Sequence, residues 1–299
     1  MATYERRLIH YGNLAVAAGR LWDNGCQSQA ALLVQEEHED LTATIQYALG
    51  DPGHAEAALE TVTGLWFWWA VHGRADEGHA HLLQLLDGRL PDGPGTAPAL
   101  LLAAWLTAGS DPHSARVLLG RAWTCAVLAG DSVALGRIAH VQGLLALHRQ
   151  DHEAAAAHFQ EAADTIPRHA TGGLSAAVSQ AAAALAQASF DPGAARVSAR
   201  RALTAPGAQP DDWACVTARY ARAFVDHQEG RSGRAWRRAQ RTLATLDDRL
   251  PTPHGHLALR RLVSDIESGA PAAPSLSCGP PPRARVPAPV TDPGQVVGP

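Results

Sequence analysis

Lysine is missing from this chain of 299 residues, and all 25 of its basic side chains are arginine. A phosphate-binding P-loop requires a lysine before its serine or threonine, a protein kinase requires its β3 lysine, and a Schiff-base enzyme requires a lysine amine. None of these three kinds of site can be built from this sequence.

Paired cysteines and long apolar runs are missing as well. The four cysteines are widely separated, so we expect neither a disulfide framework nor a zinc site. The longest apolar run, residues 65–71, is far too short to span a bilayer, and residues 1–8 lack the apolar core of a signal peptide. We therefore expect a cytoplasmic protein with no membrane partner.

Motifs for metal, cofactor or covalent chemistry are also absent from the sequence. The 15 histidines include no His-Glu-x-x-His, and there is neither a nucleophile elbow nor a glycine-rich dinucleotide loop. We therefore expect no metal, no cofactor and no enzymatic activity. The net charge of −4 argues against direct binding of nucleic acid.

A repeat of 40 residues is the strongest positive signal in the chain. Alanine marks it at Ala75, Ala115, Ala155, Ala195 and Ala235. Small residues stand twelve positions earlier, at Thr63, Ala103, Gly143, Ala183 and Ala223. Turn-forming Gly, Asp and Pro residues stand just ahead of the alanines, so each unit is predicted to be helix, turn, helix. Constant spacing is what stacked units require, and the sequence predicts an all-α solenoid with a period of about 40 residues.

Composition and turn signals divide the chain into three regions. These are N-terminal helices in residues 1–54, helical repeats in residues 55–268 with a loop at 91–98, and a disordered tail in residues 269–299. The tail holds nine of the 20 prolines, and such a composition cannot bury enough apolar area to offset its ordering entropy. Residues 27–49 and residues 55–72 are each predicted to form one continuous helix.

One unit, residues 137–167, resembles a tetratricopeptide repeat (TPR). The residues that carry the resemblance are Gly143, Ala155, Phe159, Ala162 and Pro167. The usual period in that family is about 34 residues, so the longer step here makes the array TPR-like. The resemblance implies a right-handed α-solenoid of TPR-like hairpins.

A second resemblance covers residues 35–90. The acidic segment 36–49, the Trp-rich run 65–69 and the turn from Gly73 to Gly78 are similar to a block in STAND-type NTPase transcriptional regulators of actinobacteria. In that family the block opens a TPR-like array that follows a nucleotide-binding module and accompanies a winged-helix or LuxR-like DNA-binding domain. Here Asp40 and Thr42 replace the usual asparagine and arginine, and neither a P-loop nor a terminal helix-turn-helix is recognisable. The resemblance implies a detached relative or a piece of such a regulator.

In TPR-like arrays the first helix of each hairpin lines a concave groove. The resemblance places partner-facing positions on either side of each small residue, at Phe67, Trp68, Arg137, His140, His148, Gln180, Gln187, Tyr220 and His227. Aromatic anchors mixed with polar groups are typical of binding grooves. Such a groove implies a protein or peptide partner or a small-molecule effector. The alternative for the aromatic residues is that they lie in the core.

A further candidate is an arginine-rich helix face. Arg231, Arg234, Arg238 and Arg241 recur at helical spacing and could hold phosphate or an acidic partner. The alternative is a solvated outer face, because second helices of TPR-like hairpins point outward.

The leading hypothesis from the sequence is a non-catalytic interaction or sensor module that resembles the regulatory array of STAND-type regulators. One alternative is a free-standing TPR-like adaptor unrelated to transcription. Another is an all-α enzyme with a pocket between its helices, because folding can bring distant catalytic residues together.

Overall fold

The computed structural model describes residues 2–87, 94–204, 211–246 and 256–270 of the chain. These ranges contain fifteen α-helices and two short 3-10 turns, and none of their residues lies in a β-strand. The predicted all-α fold class is therefore confirmed. No helix within these ranges combines the length and apolarity that a membrane crossing requires.

The fifteen described helices are numbered in chain order. The first seven are α1 (Ala2–Asp23), α2 (Gln27–Glu36), α3 (His38–Leu49), α4 (Ala55–Gly64), α5 (Trp66–Val71), α6 (Ala75–Leu86) and α7 (Ala97–Thr107). The remaining eight are α8 (Pro112–Ala129), α9 (Ser132–His148), α10 (His152–Thr165), α11 (Ala176–Gln187), α12 (Pro192–Thr204), α13 (Asp212–Gln228), α14 (Ser232–Leu243) and α15 (Ala258–Ser268). From α7 onward each described helix packs on the next, and α11 also contacts α13.

The alanines of the 40-residue repeat occupy equivalent places. Ala115, Ala155, Ala195 and Ala235 are each the fourth residue of a helix, while Ala75 is the first residue of α6. All five are buried. The carboxylates of Asp111, Asp151 and Asp191 accept backbone N–H groups at the starts of α8, α10 and α12, as N-caps do. The 40-residue period therefore corresponds to equivalent positions in successive helices. The right-handed solenoid stays a prediction.

Close helix crossings explain why the small positions are small. A Cβ atom added to Gly143 on α9 would lie 2.6 Å from the ring of Phe159 on α10. A Cβ added to Gly78 would lie 2.6 Å from Trp69. Protein interiors are packed too densely to absorb such contacts without a shift. These two glycines therefore let an aromatic ring lie directly on a neighbouring helix backbone.

Two helices that were predicted to be continuous are broken. The predicted helix of residues 27–49 is interrupted at Glu37, and that of residues 55–72 is interrupted at Leu65. Leu65 is fully buried, and the short α5 that follows buries all six of its side chains. One straight helix would turn some side chains of this run toward solvent, whereas the bend lets the whole apolar run enter the core.

The two positions at which residues 35–90 depart from the STAND-type block both have partners. The Thr42 hydroxyl donates to the Glu77 carboxylate at 2.9 Å, and Asp40 lies 3.5 Å from the Arg7 guanidinium. Thr42 thus contacts α6, and Asp40 contacts α1.

Two of the predicted domain boundaries fall largely outside the described residues. The predicted loop at 91–98 is described only from residue 94 onward. Pro94–Thr96 forms a 3-10 turn, and α7 already begins at Ala97. Of the predicted tail, only Gly269 and Ala270 are described. Gly269 ends α15 with a φ of 68°, a left-handed conformation that glycine adopts without strain.

Candidate ligand-binding cavity

A cavity of about 750 Å³ lies between the first helices and the middle of the chain. One side is formed by the end of α1, the start of α2 and Trp66. The other side is formed by the end of α10, the segment 168–177, the end of α12 and the start of α13. This volume lies within the range of about 300–1,000 Å³ that small-ligand sites occupy.

Three indole rings wall the cavity. Trp22, Trp66 and Trp213 line it, and each side chain is about 95% buried. The Trp66 and Trp213 ring centroids are 6.1 Å apart, and Trp22 meets Trp66 edge to face at 5.6 Å. Trp105 lies behind this wall and stacks on Trp66 at 5.8 Å and on Trp213 at 6.1 Å. Aromatic packing of this kind makes the wall rigid and apolar.

A buried amide joins the two sides of the cavity. The Gln27 side chain donates to Asp211 Oδ1 at 3.1 Å and accepts the Trp213 backbone N–H at 2.9 Å. Asp211 is the N-cap of α13, where it accepts the backbone N–H of Ala214, and it also accepts the Ser175 hydroxyl at 2.6 Å. Residues almost two hundred positions apart are thus held by side-chain hydrogen bonds at one corner of the cavity.

Asp23 forms a second link across the cavity. Its carboxylate accepts the Gly172 backbone N–H at 3.0 Å, while the Arg137 guanidinium donates to the carbonyls of Thr171 at 2.8 Å and Gly172 at 3.2 Å. Burial raises the pKa of Asp23 above its usual value, and the Gly172 hydrogen bond and Arg137 oppose that rise. This network fixes segment 171–173 against the end of α1.

The rim of the cavity is polar and exposed. Asp164, Arg168 and His169 line it together with Arg201 on α12. Both signs of charge stand at the opening, while the walls carry indoles and alanines. A lining that combines indoles and alanines with many polar side chains can hold a ligand by packing and by hydrogen bonds.

Among the residues of the predicted groove, Gln180 alone lines this cavity. Its side chain is buried and donates to Gln160 Oε1 at 3.2 Å. Arg137 lines a separate space of about 70 Å³ and is held by carbonyls of the neighbouring loop. Gln187 and His227 are half-buried, with His227 3.0 Å from the Ser232 hydroxyl, and His148 is exposed. The predicted set is therefore dispersed along the chain.

The aromatic residues of the predicted groove belong to the core, which is the alternative that the sequence left open for them. Phe67 is fully buried, and Trp68 and Tyr220 are at least 96% buried. Phe67 stacks on Trp22 with ring centroids 4.5 Å apart, and Tyr220 packs on Phe224. His140 is also buried, 3.0 Å from the Ser179 hydroxyl. Burial of these rings stabilises the folded protein more than their exposure on a groove surface would.

The arginine face also differs from its prediction. Arg231, Arg234 and Arg238 converge on one carboxylate, that of Asp226 on α13, at 3.0, 3.3 and 2.7 Å. Only 4% of the Asp226 side chain is exposed, and Arg231 also pairs with Glu229. Most of the predicted face is thus an internal ion-pair network between α13 and α14, since a buried carboxylate requires charged partners. Arg241 lies outside the network and is exposed.

Sequence reasoning missed the four residues that define the cavity: Trp22, Gln27, Trp66 and Trp213. A signal was present, because tryptophan supplies eight of the 16 aromatic residues, an unusual share. The repeat pattern could not use that signal, because these residues occupy no common position within the 40-residue unit.

Comparisons with known proteins do not assign the chain to a family. No family model, no curated protein and no solved structure matches it. Within the described ranges, no group of three or more His, Cys, Asp or Glu side chains is placed to hold a metal ion. The three described cysteines, Cys26, Cys125 and Cys215, are free thiols.

Proposed function

We propose that the protein is a non-catalytic interaction or sensor module that binds a small apolar or aromatic ligand, or the side chains of a peptide, in the tryptophan-walled cavity. The observation that carries the proposal is a space of about 750 Å³ walled by Trp22, Trp66 and Trp213. Indole walls recognise flat apolar groups, and the amides of Gln27 and Gln180 offer hydrogen bonds that orient a ligand.

The position of the cavity supports a sensing role. Its two sides come from the beginning and the later part of the chain, and they meet through the Gln27 to Asp211 and Asp23 to Gly172 contacts. A ligand that touches both sides stabilises the arrangement in which they are together. The resemblance of residues 35–90 to STAND-type regulators is consistent with such a role, and we propose on that basis that the module serves regulation.

The two carboxylates that link the sides of the cavity, Asp23 and Asp211, favour binding over catalysis. The Asp211 oxygens already accept hydrogen bonds from the Ala214 backbone N–H, the Gln27 amide and the Ser175 hydroxyl. The Asp23 carboxylate accepts one from the Gly172 backbone N–H. A general acid or base has to meet a proton of the substrate, which these committed oxygens are poorly placed to do. A turnover of any compound that occupies the cavity would instead support the all-α enzyme.

The proposal is tested with a neutral fluorescent probe, N-phenyl-1-naphthylamine, and a cavity-filling variant. Ala177 lines the cavity at the start of α11 and is half-buried, so Ala177→Phe places a ring inside the space. We expect the wild-type chain to bind one probe molecule and Ala177→Phe to bind at least about tenfold more weakly, because the ring removes the volume that the probe needs.

The matched control is Ala157→Phe, which adds the same ring to an exposed position on α10. This variant should bind the probe as the wild-type chain does. Equal binding by Ala177→Phe and the wild-type chain would contradict the proposal. Displacement of the probe by peptides but not by small molecules would favour the adaptor alternative over the sensor.

A further inference from the structure

A second cavity, independent of the tryptophan-walled one, lies between α13 and α14. It encloses about 210 Å³ and is lined by Arg219, Arg222, Arg238, Arg241 and Thr242. Four of its five lining residues carry a guanidinium group, and none is acidic. We call these five residues the arginine cleft.

The positive charge of the cleft exceeds the negative charge around it. Asp226, the carboxylate that interacts with Arg222, is already shared by Arg231, Arg234 and Arg238. Asp212 is the described carboxylate that interacts with Arg219. Glu229 is engaged by Arg196 and Arg231. Within the described residues, no salt bridge joins Arg219, Arg222 or Arg241 to a carboxylate. Because the whole chain carries a net charge of −4, this concentration of arginine is a local feature.

Arg222 is the cleft residue on which the surrounding positive charge acts most directly. It is half-buried, and burial lowers the pKa of its guanidinium, as do Arg238, Arg200 and Arg234, while Asp226 opposes them. Like charges that are held together in a partly buried site repel one another unless an anion compensates them. The helices α13 and α14 hold the arginines in place, so the repulsion persists in the folded protein.

We propose that the arginine cleft binds a compact phosphate-bearing anion, such as a diphosphate group. Guanidinium groups on two different helices approach the space from two sides, and each presents N–H donors to oxygen. A phosphate or diphosphate offers several acceptor oxygens and at least two negative charges, whereas a carboxylate offers two oxygens and one charge. The site is distinct from the tryptophan-walled cavity and does not depend on its function.

Calorimetric titration of the full chain with pyrophosphate at low ionic strength tests this site. Arg222→Gln and Arg241→Gln should each weaken pyrophosphate binding by about tenfold or more, because hydrogen bonds to a charged group contribute more than about 1.4 kcal/mol. Arg222 is half-buried and Arg241 is exposed, so Arg241→Gln keeps the test valid if Arg222→Gln fails to fold.

Arg237→Gln is the matched control. It removes the same charge from the same helix at an exposed position outside the cleft, and it should change binding by less than about twofold. Ala177→Phe should also leave pyrophosphate binding unchanged, which separates this site from the tryptophan-walled cavity. Titrations with inorganic phosphate, sulfate and citrate rank the anions, and we expect pyrophosphate to bind most tightly.

Three results would overturn the proposal. The first is the absence of measurable binding by the wild-type chain, and the second is an equal loss of affinity in Arg237→Gln and Arg222→Gln. The third is tighter binding of a short oligonucleotide than of pyrophosphate with a similar loss in Arg237→Gln, since that pattern indicates a broad nucleic-acid surface. Tighter binding of citrate than of pyrophosphate would likewise refute the preference for phosphate.

Discussion

Replacing Gly143 by alanine tests whether close crossings require the small residues of the 40-residue pattern. Gly143 lies inside α9, and a Cβ atom there would meet three ring atoms of Phe159 at 2.6, 2.7 and 2.9 Å. Phe159 is fully buried on α10, so its ring has no free space to enter. Either the ring or the two helices must shift to accept the methyl group.

Two opposing terms set the size of the effect. Alanine is preferred over glycine inside a helix by about 1 kcal/mol, which stabilises the variant. Overpacking of a dense core costs about 1–3 kcal/mol. We therefore expect Gly143→Ala to lower the free energy of unfolding by up to about 2 kcal/mol, measured by urea denaturation followed by circular dichroism.

Gly120 provides the matched control for this experiment. It lies inside α8, is exposed, and has no other group within 4 Å of an added Cβ. Gly120→Ala should stabilise the protein by up to about 1 kcal/mol, so the two variants should differ by about 1–3 kcal/mol. If Gly143→Ala stabilises as much as Gly120→Ala, the close-crossing argument is wrong. Combining Gly143→Ala with Phe159→Leu should recover part of the loss, which a double-mutant cycle measures as coupling.

Three further predictions concern buried polar groups. Asp226→Asn should lower the free energy of unfolding by about 3 kcal/mol, because three arginines lose a buried partner; urea denaturation at low and high salt measures the loss. Burial lowers the pKa of His72 to about 4, whereas the pKa of a histidine in an unfolded chain is about 6.5. The free energy of unfolding should therefore be highest above pH 6.5 and should fall by about 3 kcal/mol as the pH drops toward 4, because the unfolded chain binds a proton that the folded chain does not. This pH-dependent loss should be absent in His72→Gln. Gln27→Ala should cost about 1–3 kcal/mol by leaving the buried Trp213 backbone N–H without the side-chain oxygen, and should speed amide hydrogen exchange there.

The fold class could be predicted because its signals are local and repeated. The carboxylates of Asp111, Asp151 and Asp191 fix the starts of three helices through hydrogen bonds to backbone N–H groups two or three residues away. The breaks at Glu37 and Leu65 could not be predicted in this way. Leu65 follows an ordinary helical run, and only the burial of every side chain of α5 explains the bend.

The cavity could not be predicted from the repeat because it is formed by residues that the repeat does not relate. Gln27 and Asp211 have no sequence pattern in common, and their hydrogen bond exists because the folded chain brings α2 to the start of α13. The groove positions follow from the resemblance to arrays of hairpins, which does not decide whether their aromatic residues line a groove or lie in the core. In this chain Phe67 and Tyr220 are packed inside.

The arginines illustrate why helical spacing alone does not define a binding face. Arg234, Arg238 and Arg241 on α14 and Arg231 just before it recur at helical spacing, yet the position of Asp226 on α13 divides them into different roles. The carboxylate is shared by Arg231, Arg234 and Arg238, and Arg219 and Arg222 on α13 add positive charge beside Arg241. The face that remains for an anion is therefore the side of this arginine series away from Asp226, and its shape depends on two helices.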